Sequence, residues 1–164
     1  MGDDVFPDRS MALRDKLAWM IETNGWLLEP VAATTSTDPP FPGYGYTIGF
    51  EQTFGFAEVV ILGLKPVAAK GLAGLIADLL GGGTQIPIGE LFRGLYDGEQ
   101  RAALLPVEVG AMGAMFESAT AWYGDAPYRM VQLVWPDRNG WLPWEPGFDP
   151  ALVGVQLLLG EPPV

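Results

Sequence analysis

Cysteine and histidine are both absent from this chain of 164 residues. Without thiols there is no disulfide framework, no thiolate nucleophile and no zinc site built on sulfur. Without imidazole, the Ser-His-Asp and Cys-His catalytic arrangements are excluded as well. Zinc, copper and iron sites depend on these two ligand types, so we expect neither a transition metal nor a cofactor that needs one.

Basic residues are scarce too. The chain has nine lysines and arginines but 20 acidic residues, so it is acidic, with a net charge of -11. Nucleic-acid binding needs clustered cations, so scattered single ones predict a protein that does not bind nucleic acid. The longest apolar stretch, residues 59–80, is broken by Lys65, Pro66, Lys70 and Asp78. It falls short of the roughly 20 apolar residues that a membrane span needs.

The N-terminal ten residues are acidic and lack the basic-then-apolar pattern of a signal peptide. We therefore expect a cytoplasmic protein without a membrane partner. Length and an apolar content of 49% predict a single domain over residues 1–164 with a generous core. Within it, residues 1–9 are expected to be disordered or loosely attached, and residues 10–158 to form the folded part.

Helical and strand patterns alternate along the chain. Helices are predicted at residues 10–24, 66–80 and 111–123. Strands are predicted at residues 26–33, from Tyr44, at 58–64, weakly near 88, at 102–109 and at 128–135. This order predicts an α+β fold with a mostly antiparallel sheet of about five to six strands, packed by two or three helices.

The run "EVVILGL" at residues 58–64 is continuously apolar, which is typical of a central strand buried on both faces. We expect the helix after Pro66 to cover it through four side chains, namely Leu72, Leu75, Ile76 and Leu79. In residues 102–109, Pro106 indicates an edge strand because proline cannot donate to a neighbouring strand.

The segment "VQLVWPDRNGWLPWEPGFDP", residues 131–150, holds three tryptophans within ten residues. Strict alternation places Trp135 on the apolar face of its strand, so it is assigned to the core. Trp141 follows the Asn139-Gly140 turn, where side chains usually emerge toward solvent. Two interpretations remain for the segment: it closes one end of the core, or it lines an aromatic cleft with the proline-rich loop at residues 35–43.

Two blocks, "YTIGFEQTFGFAEVVILGL" at residues 46–64 and the tryptophan-rich segment, resemble a bacterial family named domain of unknown function 4262. Its members are similar in having a "YTIGL" strand, a "GHPE" turn, a "VVFGL" strand and a helix, then "LQLVWPD" and "FPWD". The resemblance covers about residues 10–158 and implies kinship without an activity. Where the family pattern has the turn histidine, this chain has Phe56.

The favoured function is a binding or interaction module. Its surface would combine the proline-rich loop with an aromatic and acidic set of side chains, Tyr44, Trp141, Trp144 and Glu145. Exposed aromatic side chains on a proline-fixed backbone suit the recognition of a partner. The partner could be an unknown protein or a small molecule.

The alternative is a small-molecule enzyme, a hydrolase or isomerase, that uses a carboxylate as general acid or base. Glu58 and Asp137 are the catalytic candidates, with Glu58 at the end of the sheet beside Tyr44 or Tyr46. Each has a plainer interpretation: Glu58 as an exposed charge at a strand start, and Asp137 as a cap for backbone groups in a turn. A deep, closed pocket holding a carboxylate would favour the enzyme, and a shallow aromatic patch the binding module.

Overall fold

The computed structural model describes residues 12–96 and 98–163, and within them one six-stranded sheet lies between two layers of helices and loops. Along the chain the regular elements are α1 (Leu13–Asn24), β1 (Leu27–Val31), β2 (Tyr44–Ile48), α2 (Phe50–Phe54), β3 (Glu58–Leu62), α3 (Pro66–Gly81), β4 (Leu91–Arg93), β5 (Arg101–Val107), α4 (Val109–Met112), α5 (Glu117–Tyr123) and β6 (Met130–Val134), with 3-10 turns at Gly113–Phe116 and Pro150–Leu152.

The strands lie in the order β1-β2-β3-β6-β5-β4. Only β3 and β6 run parallel among the described strands; the other four neighbouring pairs are antiparallel. The predicted α+β class with a mostly antiparallel sheet is therefore confirmed. The parallel pair needs a long crossover, which here contains α3, β4, β5, α4 and α5.

The two parallel strands form the centre of the core, and every residue of both is buried. Their side chains alternate between two apolar layers. One layer, beneath α3 and α2, contains Val59, Ile61, Val131, Leu133 and Trp135. The opposite layer, beneath α1 and α5, contains Val60, Leu62 and Met130. Burial on both faces explains why β3 reads as an unbroken apolar run.

The inward face of α3 differs from the prediction. Leu75 is 43% exposed, so its assignment to the core was wrong, whereas Ile76 is fully buried. Alanines at 69, 73 and 77, spaced four apart, form the buried stripe. Such small side chains let the helix axis approach the sheet closely, and they displace the leucines to the flanks of the contact, where Leu72 and Leu79 are half-buried.

Several helices and strands begin or end at other residues than the sequence predicted. The third predicted helix is broken into α4, a 3-10 turn and α5, and the short helix α2 was not expected. α1 begins at Leu13 and ends at Asn24, and the positive φ of 86° at the next residue, Gly25, is the left-handed conformation that commonly stops a helix. The disordered or loose segment expected at residues 1–9 lies outside the described residues. β5 is an inner strand, so the edge position expected from Pro106 was wrong for the strand as a whole. Pro106 pairs with Val131 of β6, but β4 pairs only with residues 101–103, so no described strand pairs with the other side of Pro106.

The C-terminal segment is fastened to β6 by two buried glutamine amides. Gln132 Nε2 donates to the Leu157 carbonyl (2.6 Å) and Gln132 Oε1 accepts from Leu159 N (2.7 Å). Gln156 makes the equivalent pair with the backbone of Trp135, at 2.8 Å in both directions. Each glutamine amide thus donates one hydrogen bond to a backbone segment and accepts one from it, as a neighbouring strand would. These bonds satisfy the buried amide of Gln132 and explain why a polar residue lies in the middle of β6.

No helix among the described residues is long and apolar enough to cross a membrane.

The core assignment predicts unequal costs for two apolar truncations. Ile61→Ala should lower the free energy of unfolding by about 2 to 5 kcal/mol, because Ile61 is fully enclosed beneath α3. Leu75→Ala is the control and should cost less than about 1 kcal/mol, as exposed changes do. Urea denaturation measures both, and equal losses would contradict this packing.

Candidate functional site

Glu58 opens β3 and its carboxylate is completely buried. Oε1 accepts hydrogen bonds from the Thr47 hydroxyl (2.7 Å) and from Phe50 N (3.1 Å). Oε2 accepts from Gly49 N and Glu51 N, both at 3.1 Å, and from the hydroxyl of Tyr123. The three backbone donors belong to the first turn of α2, so Glu58 serves as the anion at that helix N-terminus.

The local sequence explains how β3 can deliver a carboxylate to the start of α2. Gly49, just before the helix, has a φ of 116°, a conformation that L side chains rarely adopt. A Cβ there would lie 2.6 Å from the Gly25 carbonyl oxygen. Thr47, on β2, also accepts from Val59 N (2.9 Å), which fixes its own hydroxyl proton toward Glu58.

The electrostatics of this buried group combine opposing effects. Burial raises the pKa of Glu58, while the hydrogen bonds from Tyr123, Thr47 and the α2 backbone oppose that rise. Burial and the adjacent Glu58 also raise the pKa of Tyr123, so the phenol stays protonated and remains a donor. Five donors on two oxygens leave Glu58 without a free acceptor position for a ligand.

Glu58 is not the exposed charge of one interpretation, and of the two tyrosines named in the other it is Tyr46, paired with Val60, that lies near it along the sheet. Glu58 is not a neighbour of Tyr44, because Glu58 begins β3 at one end while Tyr44 pairs with Leu62 at the other. Four residues of strand separate the two ends by roughly 13 Å. Glu58 is therefore a sealed structural group, and it does not share a pocket with Tyr44.

Asp137, the other catalytic candidate, organises the turn after β6. Its Oδ1 accepts from Asn139 N (2.9 Å) and Trp141 N (3.0 Å), and its Oδ2 accepts from Asp149 N (2.9 Å). Burial raises the pKa of Asp137, but these backbone donors lower it further than burial raises it, so the net shift is downward. The geometry is that of a turn cap, with the carboxylate committed to the backbone.

Glu145 is committed in a similar way. Its carboxylate forms a bidentate salt bridge with the Arg101 guanidinium, at 2.6 and 2.8 Å, and accepts a hydrogen bond from Leu142 N at 2.9 Å. The hydrogen bonds from Arg101 lower the pKa of Glu145. Arg101 also donates to the Gly140 carbonyl (3.0 Å), so the pair fastens the tryptophan-rich segment to the start of β5.

The three tryptophans of that segment have different environments. Trp135 is 9% exposed and donates its indole N–H to the Leu62 carbonyl (2.9 Å), as its assignment to the core requires. Trp144 is half-buried against a small apolar cluster that includes Leu142. Trp141 is 41% exposed and lies flat against Gly147. The segment thus both closes the core and leaves one indole in solvent.

A cleft opens at the end of the sheet where Tyr44 lies. It has a volume of about 690 Å³, is open to solvent on one side and is lined mainly by apolar groups of β1, the proline-rich loop and the β3–α3 connection. Its lining residues are Pro30, Val31, Ala32, Ala33, Pro42, Gly43, Tyr44, Gly63, Leu64, Lys65, Pro66 and Val155.

A second cleft of about 360 Å³ adjoins the first, and both are lined by Val31 and Tyr44. Its other walls are Thr34, Thr37, Pro39, Phe41, Ala114 and Met115. We call the two clefts together the Tyr44 groove. Tyr44 is held in place between them, because its hydroxyl donates to the Met115 carbonyl (2.9 Å) and its ring meets Phe41 edge-on.

The far wall of the Tyr44 groove comes from the C-terminal segment. Gly63 has a φ of 84°, and a Cβ there would lie 2.5 Å from the carbonyl oxygen of Val155. Glycine at 63 therefore permits the close approach that brings Val155 into the lining. Gln156, the residue after Val155, holds that wall in position through its two hydrogen bonds to the backbone of Trp135.

The structure brings together only part of the predicted binding surface. Tyr44 and the proline-rich loop line one groove, whereas Trp141, Trp144 and Glu145 are not among its lining residues. Sequence reasoning missed Lys65, Val155 and Tyr123. These three residues reach the groove or the Glu58 network only because the fold brings distant segments of the chain together, so no local sequence pattern indicates their roles. The described residues contain no group of three or more acidic side chains that could hold a metal ion.

Comparison with known protein families matches residues 20–149 to the family described as Domain of unknown function (DUF4262). The chain belongs to this family. The match spans both motif blocks, the Glu58 network and most of the groove, and stops before the C-terminal segment that carries Val155. No curated protein and no solved structure matches the chain.

In this DUF4262 member, Phe56 occupies the position where the resemblance leads one to expect a histidine. Its ring packs against the apolar layer beneath α3. Glu58, two residues later, turns instead toward Thr47 and Tyr123. The turn therefore contributes to packing and to a buried carboxylate network, without an imidazole.

The Glu58 network predicts a large cost for an isosteric change. Glu58→Gln replaces an acceptor oxygen by an NH₂ group that faces existing donors, and it should cost about 2 to 4 kcal/mol of unfolding free energy. Glu22→Gln, on the exposed face of α1, is the control and should be nearly neutral. Urea denaturation tests the pair; a neutral Glu58→Gln would show that the network is not saturated with donors.

The tryptophans offer a second test. Trp135→Ala should lower the unfolding free energy by about 3 to 5 kcal/mol, since it empties a core site and leaves the Leu62 carbonyl without its donor. Trp141→Ala should cost about 1 kcal/mol or less because the indole is 41% exposed and lies on the surface of the segment, outside the core clusters. Similar large losses in chemical denaturation would place Trp141 in the core.

Proposed function

We propose that this domain is a binding module without catalytic activity, and that its ligand lies in the Tyr44 groove. The observation that carries the proposal is the groove itself, an apolar cleft of about 690 Å³ that adjoins a second one. Ligand sites in proteins are mainly apolar concavities of about 300 to 1,000 Å³ with a few polar groups, and this groove has that character.

The rigidity of the groove supports binding. Tyr44 is fixed by its hydrogen bond to Met115, and the floor is fixed by Gly63 N, which donates to the Gly43 carbonyl (2.9 Å). Pro30, Pro39 and Pro42 restrict the backbone of the walls. A wall that is already ordered loses little conformational entropy when a ligand binds, which favours affinity.

The two candidate carboxylates argue against the alternative of an acid–base enzyme. Glu58 is enclosed and accepts five hydrogen bonds, and Asp137 accepts three from the backbone. A general acid or base must reach its substrate directly or through one water molecule. Neither carboxylate lines the groove. For Glu58 or Asp137 to act on a ligand, the ligand would have to bind elsewhere and the hydrogen bonds around the carboxylate would have to break.

An apolar probe can test the site before the natural ligand is known. N-Phenyl-1-naphthylamine should shift the backbone amide NMR signals of Gly43, Gly63 and Leu64. Ala33→Gln places a longer polar side chain in the groove and should weaken this binding by about tenfold, a loss of a few apolar contacts. Ala68→Gln, at an exposed alanine of α3 outside the lining, is the matched control and should bind like the natural chain.

Shifts that fall elsewhere on the domain, or equal affinities for the two variants, would contradict a ligand site in the groove. Both variants should retain the unfolding free energy of the natural chain, because both alanines are exposed. A difference in probe binding therefore reports on the groove and not on folding.

A further inference from the structure

The charge of the Tyr44 groove differs from that of the rest of the chain. The protein carries 20 acidic and nine basic residues, yet among the described residues no acidic one lines either cleft. The one charged residue that the structure describes in the lining is Lys65, an exposed side chain at the junction of β3 and α3. A ligand with a negative group at this point would meet a cation and no lining carboxylate.

The shape of the groove favours a chain over a compact molecule. Two open clefts lie side by side, with Val31 and Tyr44 lining both; Lys65 belongs to one cleft and Met115 to the other. An extended segment can place apolar side chains in both clefts at once. A compact ligand would fill one cleft and leave the other in solvent.

The prolines determine how such a segment would be held. β1 is an edge strand, and an open edge normally invites another strand. Pro30 interrupts it and supplies no N–H, so strand addition along β1 is disfavoured. Recognition in the groove therefore rests on apolar contacts and on one charge, and not on backbone pairing with a strand.

We infer that the groove binds an extended, apolar segment of a partner protein, with an acidic side chain of that segment paired to Lys65. This inference rests on the proposed binding function. The net charge of -11 repels an acidic partner at long range, but screening confines that repulsion to about 8 Å at physiological salt. The contact with Lys65 is local and is screened less once the segment covers it.

A phage-displayed library of random linear peptides supplies the probe. Peptides selected on the natural chain, and depleted on Ala33→Gln, should share apolar residues with one Asp or Glu at a constant position. For a synthetic, fluorescein-labelled copy, replacing that acid by its amide should weaken binding by about 3- to 10-fold, the range of a partly exposed ion pair.

Lys65→Met identifies the cation. In this variant the acid and amide peptides should bind within about twofold of each other, which is the signature of a lost pair in a double-mutant cycle. Lys70→Met is the control, because Lys70 is exposed on α3 and does not line the groove; it should preserve the difference. The unfolding free energies of both variants should match that of the natural chain.

The possible outcomes separate the inference from the proposed function. Groove-dependent peptides without an acidic residue, or an acid preference that survives Lys65→Met, would overturn the inference and leave a binding groove. A second outcome is that N-phenyl-1-naphthylamine binds, Ala33→Gln blocks this binding, and no peptide is selected. The ligand would then be a small molecule, and the inference of a partner segment would be overturned. If neither probe responds to Ala33→Gln, the proposed function itself fails.

Discussion

The fold depends on one buried carboxylate. An ionised group in a low-dielectric interior costs several kcal/mol unless every one of its acceptor positions is used. Glu58 meets this condition with donors from β2, the first turn of α2 and the end of α5, while its own backbone lies in β3. Four elements must be correctly placed together for the carboxylate to be tolerated. The network therefore ties the local geometry at Gly49 to the position of α5, whose Tyr123 lies 65 residues beyond Glu58 along the chain.

The two ends of the sheet have different properties. At the Glu58 end the carboxylate is buried and its acceptor positions are filled by donors of the chain. The Tyr44 end is open and apolar, and its walls are held by bonds that do not involve a ligand, such as those of Gln132 and Gln156. The carboxylates of Glu58, Asp137 and Glu145 are thus committed to hydrogen bonds within the fold, while the Tyr44 groove is left open. This division supports the proposal of a binding module in this member of the DUF4262 family.

Much of the fold was predictable from the sequence because its signals are local. The apolar run at residues 58–64, Pro66 at the start of α3 and Gly25 at the end of α1 each act within a few residues. The error at Leu75 arose because a helix that is apolar nearly all round does not reveal which stripe faces the sheet; small size, not hydrophobicity, selected the alanines. In the candidate site, Tyr44 and the proline-rich loop were found, but Lys65, Val155 and Tyr123 depend on contacts between distant segments that no spacing discloses.

Amide hydrogen exchange at Gly49, Phe50 and Glu51 tests the central role of Glu58 most directly. These N–H groups belong to the first turn of a five-residue helix and would exchange quickly if bonded only to water. Since each donates to a buried carboxylate, we predict exchange as slow as that of the β3 amides, through global unfolding. Exchange at the rate of a frayed helix end, with β3 still protected, would contradict the claim that this carboxylate holds the four elements together.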